Sequence, residues 1–377
     1  MTLTETLFGG TWDQKFAPLI DLVRSRQAAG ETIGEAVAVF VDGRQLVNVW
    51  TGYTGPERTT PWASDTQACL FSAGKALAAV SVLRLVDAGR ITLETPIASF
   101  WPQFGQRGKA DTTVRHVLAH LAGVPIAESA PERSVYDRAA LVQALESQAP
   151  LWPPGTQGCF HSFTYGVLCG EIVRRIDGRD FPRFFREEIA GPLDLDLAFA
   201  LTAPEQARCA ELILVEDNPL LGMMRDPQTI LGRSWRPLPW DELNSARFRG
   251  CDFPSLAGHG AALGLARLYG ALANDGMLDG VRLLSSALLA EALSEQWHHP
   301  DAFIGAPIRM GLGVMLSNAV LPFTGGPRSF AQPGLGGAAG IGDCDARVSI
   351  GIVPNRLSGG IDNPALAELV SVVMAAL

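Results

Sequence analysis

The sequence predicts an α+β fold in which strands from both ends of the chain form one antiparallel sheet around an inserted, mainly helical region. Three observations predict it. A hairpin signal lies near the start, strand patterns separated by Gly-rich turns return after residue 290, and helical segments broken by Pro and Gly fill the interval. Two strands alone would not be stable. The early and late strands are therefore expected to pair, giving residues 1–70 and 291–377 as two parts of one α/β region and 71–290 as the helical region. Five strands are expected, with the first and last helices covering one face.

Each element has a local reason. Residues 14–29 place Phe16, Leu19, Ile20 and Val23 on one helix face. Residues 36–41 and 45–50 flank Asp42-Gly43-Arg44, a hairpin turn signal. Helices are expected over 72–88, 139–147, 165–176 and 261–272, and strands over 312–316, 329–332 and 347–353. The last helix opens at Pro364 with Asn363 as its N-cap.

At 377 residues the chain can bury a large core. Its net charge of −9 argues against a nucleic-acid partner, and no uncharged apolar run of about 18 residues indicates a membrane span. Met1-Thr2-Leu3-Thr4-Glu5 lacks the basic and apolar parts of a secretory signal, so a cytoplasmic protein is expected. The six cysteines form no C-x-x-C pair and are read as reduced, with Cys69 a buried filler. His116 and His120 stand four apart, but no third ligand accompanies them, so structural roles are expected. His298-His299 reads as a surface pair. No cofactor or metal is expected, and the sequence carries no signal for oligomeric state.

The chemistry centres on Ser72-Ala73-Gly74-Lys75. Residues three apart share a helix face, so the Lys75 amine can reach the Ser72 hydroxyl and take its proton if burial keeps the amine neutral. Ser72 also falls at its helix N-terminus, where unpaired N–H groups favour a developing oxyanion. After Lys75 the polar residues are one narrow stripe, Ser81, Arg84 and Asp87, so this helix is expected to be buried on most sides. A lysine near its start is costly to leave charged and unpaired.

Phe71-Ser72-Ala73-Gly74-Lys75 resembles the S-x-x-K element of the serine β-lactamase and penicillin-recognising superfamily. Four further segments are similar to landmarks of its class C β-lactamase-like branch: 116–125, 152–156 with Phe160-His161-Ser162 and Tyr165-Gly166, Gly258-His259-Gly260, and 332–337. Their order is also that of the branch, and the group most resembled is the family VIII carboxylesterases. The resemblance implies a β-lactamase-like fold and a small-molecule acyl ester or amide substrate. It implies Ser72 as acylated nucleophile, Lys75 as base and the backbone N–H groups of Ser72 and Leu335 as oxyanion hole. Gln332-Pro333-Gly334 takes the place of a lysine-threonine-glycine motif and lacks its cation, which favours esters without a carboxylate.

Phe160 aligns with a tyrosine whose hydroxyl would carry protons, and Tyr165 is not expected to replace it, since its position is one of aromatic packing. The routes left open are Lys75 acting alone and a relay of the proton by His161 or water. Phe160, His161, His259, Gln332 and Gly334 are the expected pocket residues. Ester hydrolysis is the first reading. The alternatives are an acyltransferase or amide-forming enzyme using the same acyl-enzyme, and a catalytically impaired binding protein.

Overall fold

A computed structural model describes residues 7–215, 218–357 and 363–377. Among the described residues the main sheet has nine antiparallel strands, numbered here along the chain: β1 Gly9–Trp12, β2 Gly34–Val41, β3 Arg44–Gly52, β4 Trp297–Pro300, β5 Pro307–Met310, β6 Met315–Leu316, β7 Ser329–Pro333, β8 Ala339–Asp343 and β9 Val348–Pro354. Their spatial order is β1-β3-β2-β9-β8-β7-β6-β5-β4. The junction of early and late strands is the β2–β9 pair, where Val41 faces Val348 and Glu35 faces Pro354.

The count of five strands is corrected to nine. Three of the additional strands, β1, β4 and β5, are four residues long and lie at or next to the sheet edges. The fourth, β8, reads Ala-Gly-Ile-Gly-Asp and has the composition of a turn. Its glycines meet a packing demand. A side chain at Gly340 would enter the Tyr269 ring, and one at Gly342 the Phe330 ring.

Helices cover both faces. Helix α1 (Ala17–Ala28) and the final helix (Pro364–Ala375) pack on Val37, Val39, Ile341 and Ile350. Asn363 caps the final helix, its Oδ1 accepting from the amides of Ala365 and Leu366. On the other face, the helix Ala262–Ala273 lies close against β9, where a Cβ on Gly351 would strike its backbone and Ser349 Oγ donates to Ala266 O at 2.7 Å.

The helix carrying the S-x-x-K element is α2, Gly74–Asp87, preceded by a 3-10 turn over Phe71–Ala73. It is buried from Gly74 to Leu83 and packs on the helix Thr164–Asp177. Gly89 ends it with φ +67°, a conformation glycine adopts without penalty. The turn over Phe71–Ala73 is also flanked by a small three-stranded sheet of Ala68–Cys69, His259–Gly260 and Leu197–Ala198. Among the described residues no helix is long and apolar enough to cross a membrane.

Candidate active site

The turn at Ser72 is backbone-strained. Phe71 has φ +44°, a region that costs a bulky side chain free energy and persists where surrounding contacts hold it. Those contacts are the Leu70 amide donating to Gly258 O at 2.8 Å, the Ala73 amide donating to Leu70 O at 3.0 Å, and Gly334 packed against both residues. Ser72 is 7 % exposed and Lys75 is fully buried.

Lys75 Nζ lies 2.9 Å from Ser72 Oγ and donates to the Ser255 carbonyl at 3.3 Å. Burial holds its pKa well below the ordinary lysine value, with Cys169 the smaller, opposing influence. A neutral amine at this distance is able to accept the proton of a serine hydroxyl. Ser255 could not be found from sequence, because its backbone carbonyl, not its side chain, meets the lysine.

The Phe160 ring also faces the amine, with Nζ 4.9 Å from its centroid. Its amide donates to Asp301 Oδ2, while Asp301 Oδ1 accepts from the Phe303 and Ile304 amides at 2.8 and 2.9 Å. The ring stacks on His120 at 5.0 Å, and His120 stacks on Tyr165 at 4.2 Å. Tyr165 is packing, as expected, with its hydroxyl donating to Leu118 O at 3.3 Å. Asp301 lies 141 residues beyond Phe160, and no spacing rule points to it.

The two histidines on this side are neutral by environment. His120 Nδ1 accepts from the His161 amide at 3.0 Å, so its proton is on Nε2; His161 Nδ1 meets Cys159 O at 2.6 Å, so its proton is on Nδ1. Burial lowers the pKa of His161 to about 4 and that of His120 well below its usual value. The His161 Nε2 acceptor is buried without a partner. His116 and His120 do not share a helix face. The helix Val114–Leu118 ends between them, His116 closes a capping box with Thr113, and His120 has φ +59°.

The strand end opposite Ser72 supplies the rest. Gln332, on β7, donates from Nε2 to Pro333 O at 3.1 Å and keeps Oε1 buried without a partner. Gly334 follows the strand, donating to Ala338 O at 2.7 Å. Leu335 comes next, and neither its amide nor that of Ser72 donates to an oxygen among the described residues. His259 pairs across from Cys69, but its Nδ1 meets Ala257 O at 3.0 Å and no hydrogen bond or ring contact joins it to Ser72, Lys75 or Phe160. His298 is exposed as expected. His299 is instead half-buried, stacked on Trp297 at 4.6 Å, with its Nε2 accepting from the Gly158 amide at 3.3 Å.

Residues 19–373 match the model of the Beta-lactamase family. The chain belongs to that family. It is 32% identical over 363 residues to "Esterase/beta-lactamase LipL" of Mycobacterium tuberculosis, a match covering 92% of this chain and 83% of the relative. Among solved structures it resembles a penicillin-binding protein homologue from Caulobacter crescentus, with 31% identity, a TM-score of 0.89 and coverage of 98% of this chain and 100% of that one. A family VIII carboxylesterase gives 30% identity, the same TM-score and the same coverage. The fold is thus the β-lactamase-like one that the motifs imply. Among the described residues no group of three or more His, Cys, Asp or Glu side chains could hold a metal ion.

Proposed function

We propose that this protein is a serine hydrolase that cleaves small acyl esters through an acyl-enzyme on Ser72, with Lys75 as base. The observation that carries the reading is the 2.9 Å approach of a buried amine, its pKa depressed by burial, to a hydroxyl at a helix N-terminus. The esterase and carboxylesterase names of the relatives support the same substrate class.

In this mechanism Lys75 takes the Ser72 proton as Oγ bonds to the ester carbonyl carbon. The carbonyl oxygen gains the negative charge and is received by the amides of Ser72 and Leu335. Collapse of the intermediate breaks the bond to the alcohol oxygen, which leaves with the proton returned from the Lys75 ammonium. Water then repeats the sequence, giving its proton to Lys75 while its oxygen bonds to the acyl carbon; Ser72 leaves and recovers that proton. With phenylalanine at 160, Lys75 carries both transfers. Gln332 is uncharged, so esters without a carboxylate are the expected substrates.

Acyl transfer is a second reading, since an alcohol or amine can open the same acyl-enzyme in place of water. Both readings require the same nucleophile. Ser72→Ala should abolish p-nitrophenyl ester cleavage and fluorophosphonate labelling with little change in melting temperature. Retained labelling in that variant would remove Ser72 from the mechanism.

A further inference from the structure

Phe160 enters the site as the loss of a hydroxyl, yet its ring is held with unusual care. Its amide is fixed by Asp301, and both neighbours in the chain are tied to His120: Cys159 N–H donates to His120 O at 3.2 Å and His161 N–H to His120 Nδ1 at 3.0 Å. His120 in turn stacks on the Phe160 ring. The segment is thus fastened at three successive amides. Their shared result is a ring whose centroid lies 4.9 Å from Lys75 Nζ.

Lys75 needs such a neighbour. No carboxylate pairs with it among the described residues, and the groups influencing its ionisation are all weak or neutral. Cys169, on the helix Thr164–Asp177, has its thiol pKa raised by burial, so it stays protonated at neutral pH. His120 and His161 are held neutral by burial, and the Tyr165 hydroxyl is also kept protonated. When Lys75 takes the Ser72 proton, a full positive charge appears on an amine that no side-chain carboxylate among the described residues pairs with. The face of a phenyl ring attracts such a charge, most strongly where water is excluded.

We propose that the Phe160 ring stabilises the Lys75 ammonium formed at each proton transfer, acting through Lys75 as a positioning residue in place of the hydroxyl it lacks. The inference rests on the reading of Lys75 as the base. The stabilisation is differential, because the neutral amine of the resting site gains little from the ring while the ammonium gains in full. The proton balance is unchanged: the O–H bond of Ser72 breaks and an N–H bond of Lys75 forms.

The sequence makes a direct test practical, since the chain has only three lysines, Lys15, Lys75 and Lys109. With ¹³C-lysine protein, the Cε signal of Lys75 can be assigned by its loss in Lys75→Arg and titrated without substrate. Replacing Phe160 by mono-, di- and trifluorophenylalanine weakens the ring face stepwise while keeping its shape. The expected result is a stepwise fall in the Lys75 protonation constant, reaching about tenfold in Phe160→Leu. The kcat/KM for ester cleavage should fall in the same order. A Lys75 titration that does not move across the fluorinated series would overturn the proposal. Because that signal needs no turnover, it separates the two claims: a clear trend in a protein whose Ser72→Ala variant still cleaves esters would remove Ser72 from the mechanism and leave the ring effect standing.

Discussion

Gly334→Ala tests whether the segment after β7 completes the site. A Cβ on Gly334 would fall 2.2 Å from the Leu70 carbonyl oxygen and 3.1 Å from the Ala73 nitrogen. Carbon and oxygen normally approach to about 3.3 Å, so the two backbones would have to part by about 1 Å. Neither can yield cheaply. Leu70 and Ala73 are tied by the hydrogen bonds of the strained turn at Ser72, and Gly334 itself donates to Ala338 O at 2.7 Å. Overpacking of this kind costs about 1–3 kcal/mol in stability. The larger effect is on catalysis, because the displacement separates the Leu335 amide from Ser72. A misplacement of about 1 Å lowers rates by about 100-fold. The assay is kcat/KM for a p-nitrophenyl ester together with the melting temperature. The expected outcome is a kcat/KM loss near that size in a protein that remains folded. A folded variant with native kcat/KM would refute the placement of the Leu335 amide in the oxyanion hole.

Phe160→Tyr should raise single-turnover deacylation about tenfold by restoring a hydroxyl that can pass a proton, within the range expected for a positioned acid-base group. Identical deacylation in both proteins, with and without added alcohols or amines, would show that a hydroxyl at 160 has no task here. A separate prediction concerns Glu35, buried on β2 with Arg26 Nη2 3.7 Å away, whose pKa burial raises to about 7. A carboxyl raised in the folded state stabilises it fully below the unfolded value of 4.5, and that contribution is lost as pH rises through about 7. The stability of the native protein relative to Glu35→Gln should therefore fall by about 3 kcal/mol between those pH values. Urea unfolding at several pH values measures it, and a pH-independent difference would contradict the assignment.

Much of this architecture is legible in the sequence wherever one local rule decides. The 3.6-residue period of α2, the Asp42-Gly43 turn and the Asn363-Pro364 helix start all lie where local chemistry and tertiary packing agree. Strand β8 is missed because its glycines answer to the Tyr269 and Phe330 rings, which are distant in sequence. At the site, Ser72 and Lys75 are readable because one helical turn sets their distance. Ser255 and Asp301 are not, since one acts through its carbonyl and the other holds a backbone amide across the molecule. The meaning of Phe160 is only half readable: the missing hydroxyl is visible in the sequence, but the ring over Lys75 is a fact of tertiary structure.

The most direct test of the central claim is intact-protein mass spectrometry after rapid acid quench during turnover of p-nitrophenyl esters of increasing acyl length. The mechanism predicts one added acyl group per chain, located on Ser72 by peptide mapping and absent from Ser72→Ala. An acyl group found on another residue, or ester turnover that persists in Ser72→Ala, would contradict it.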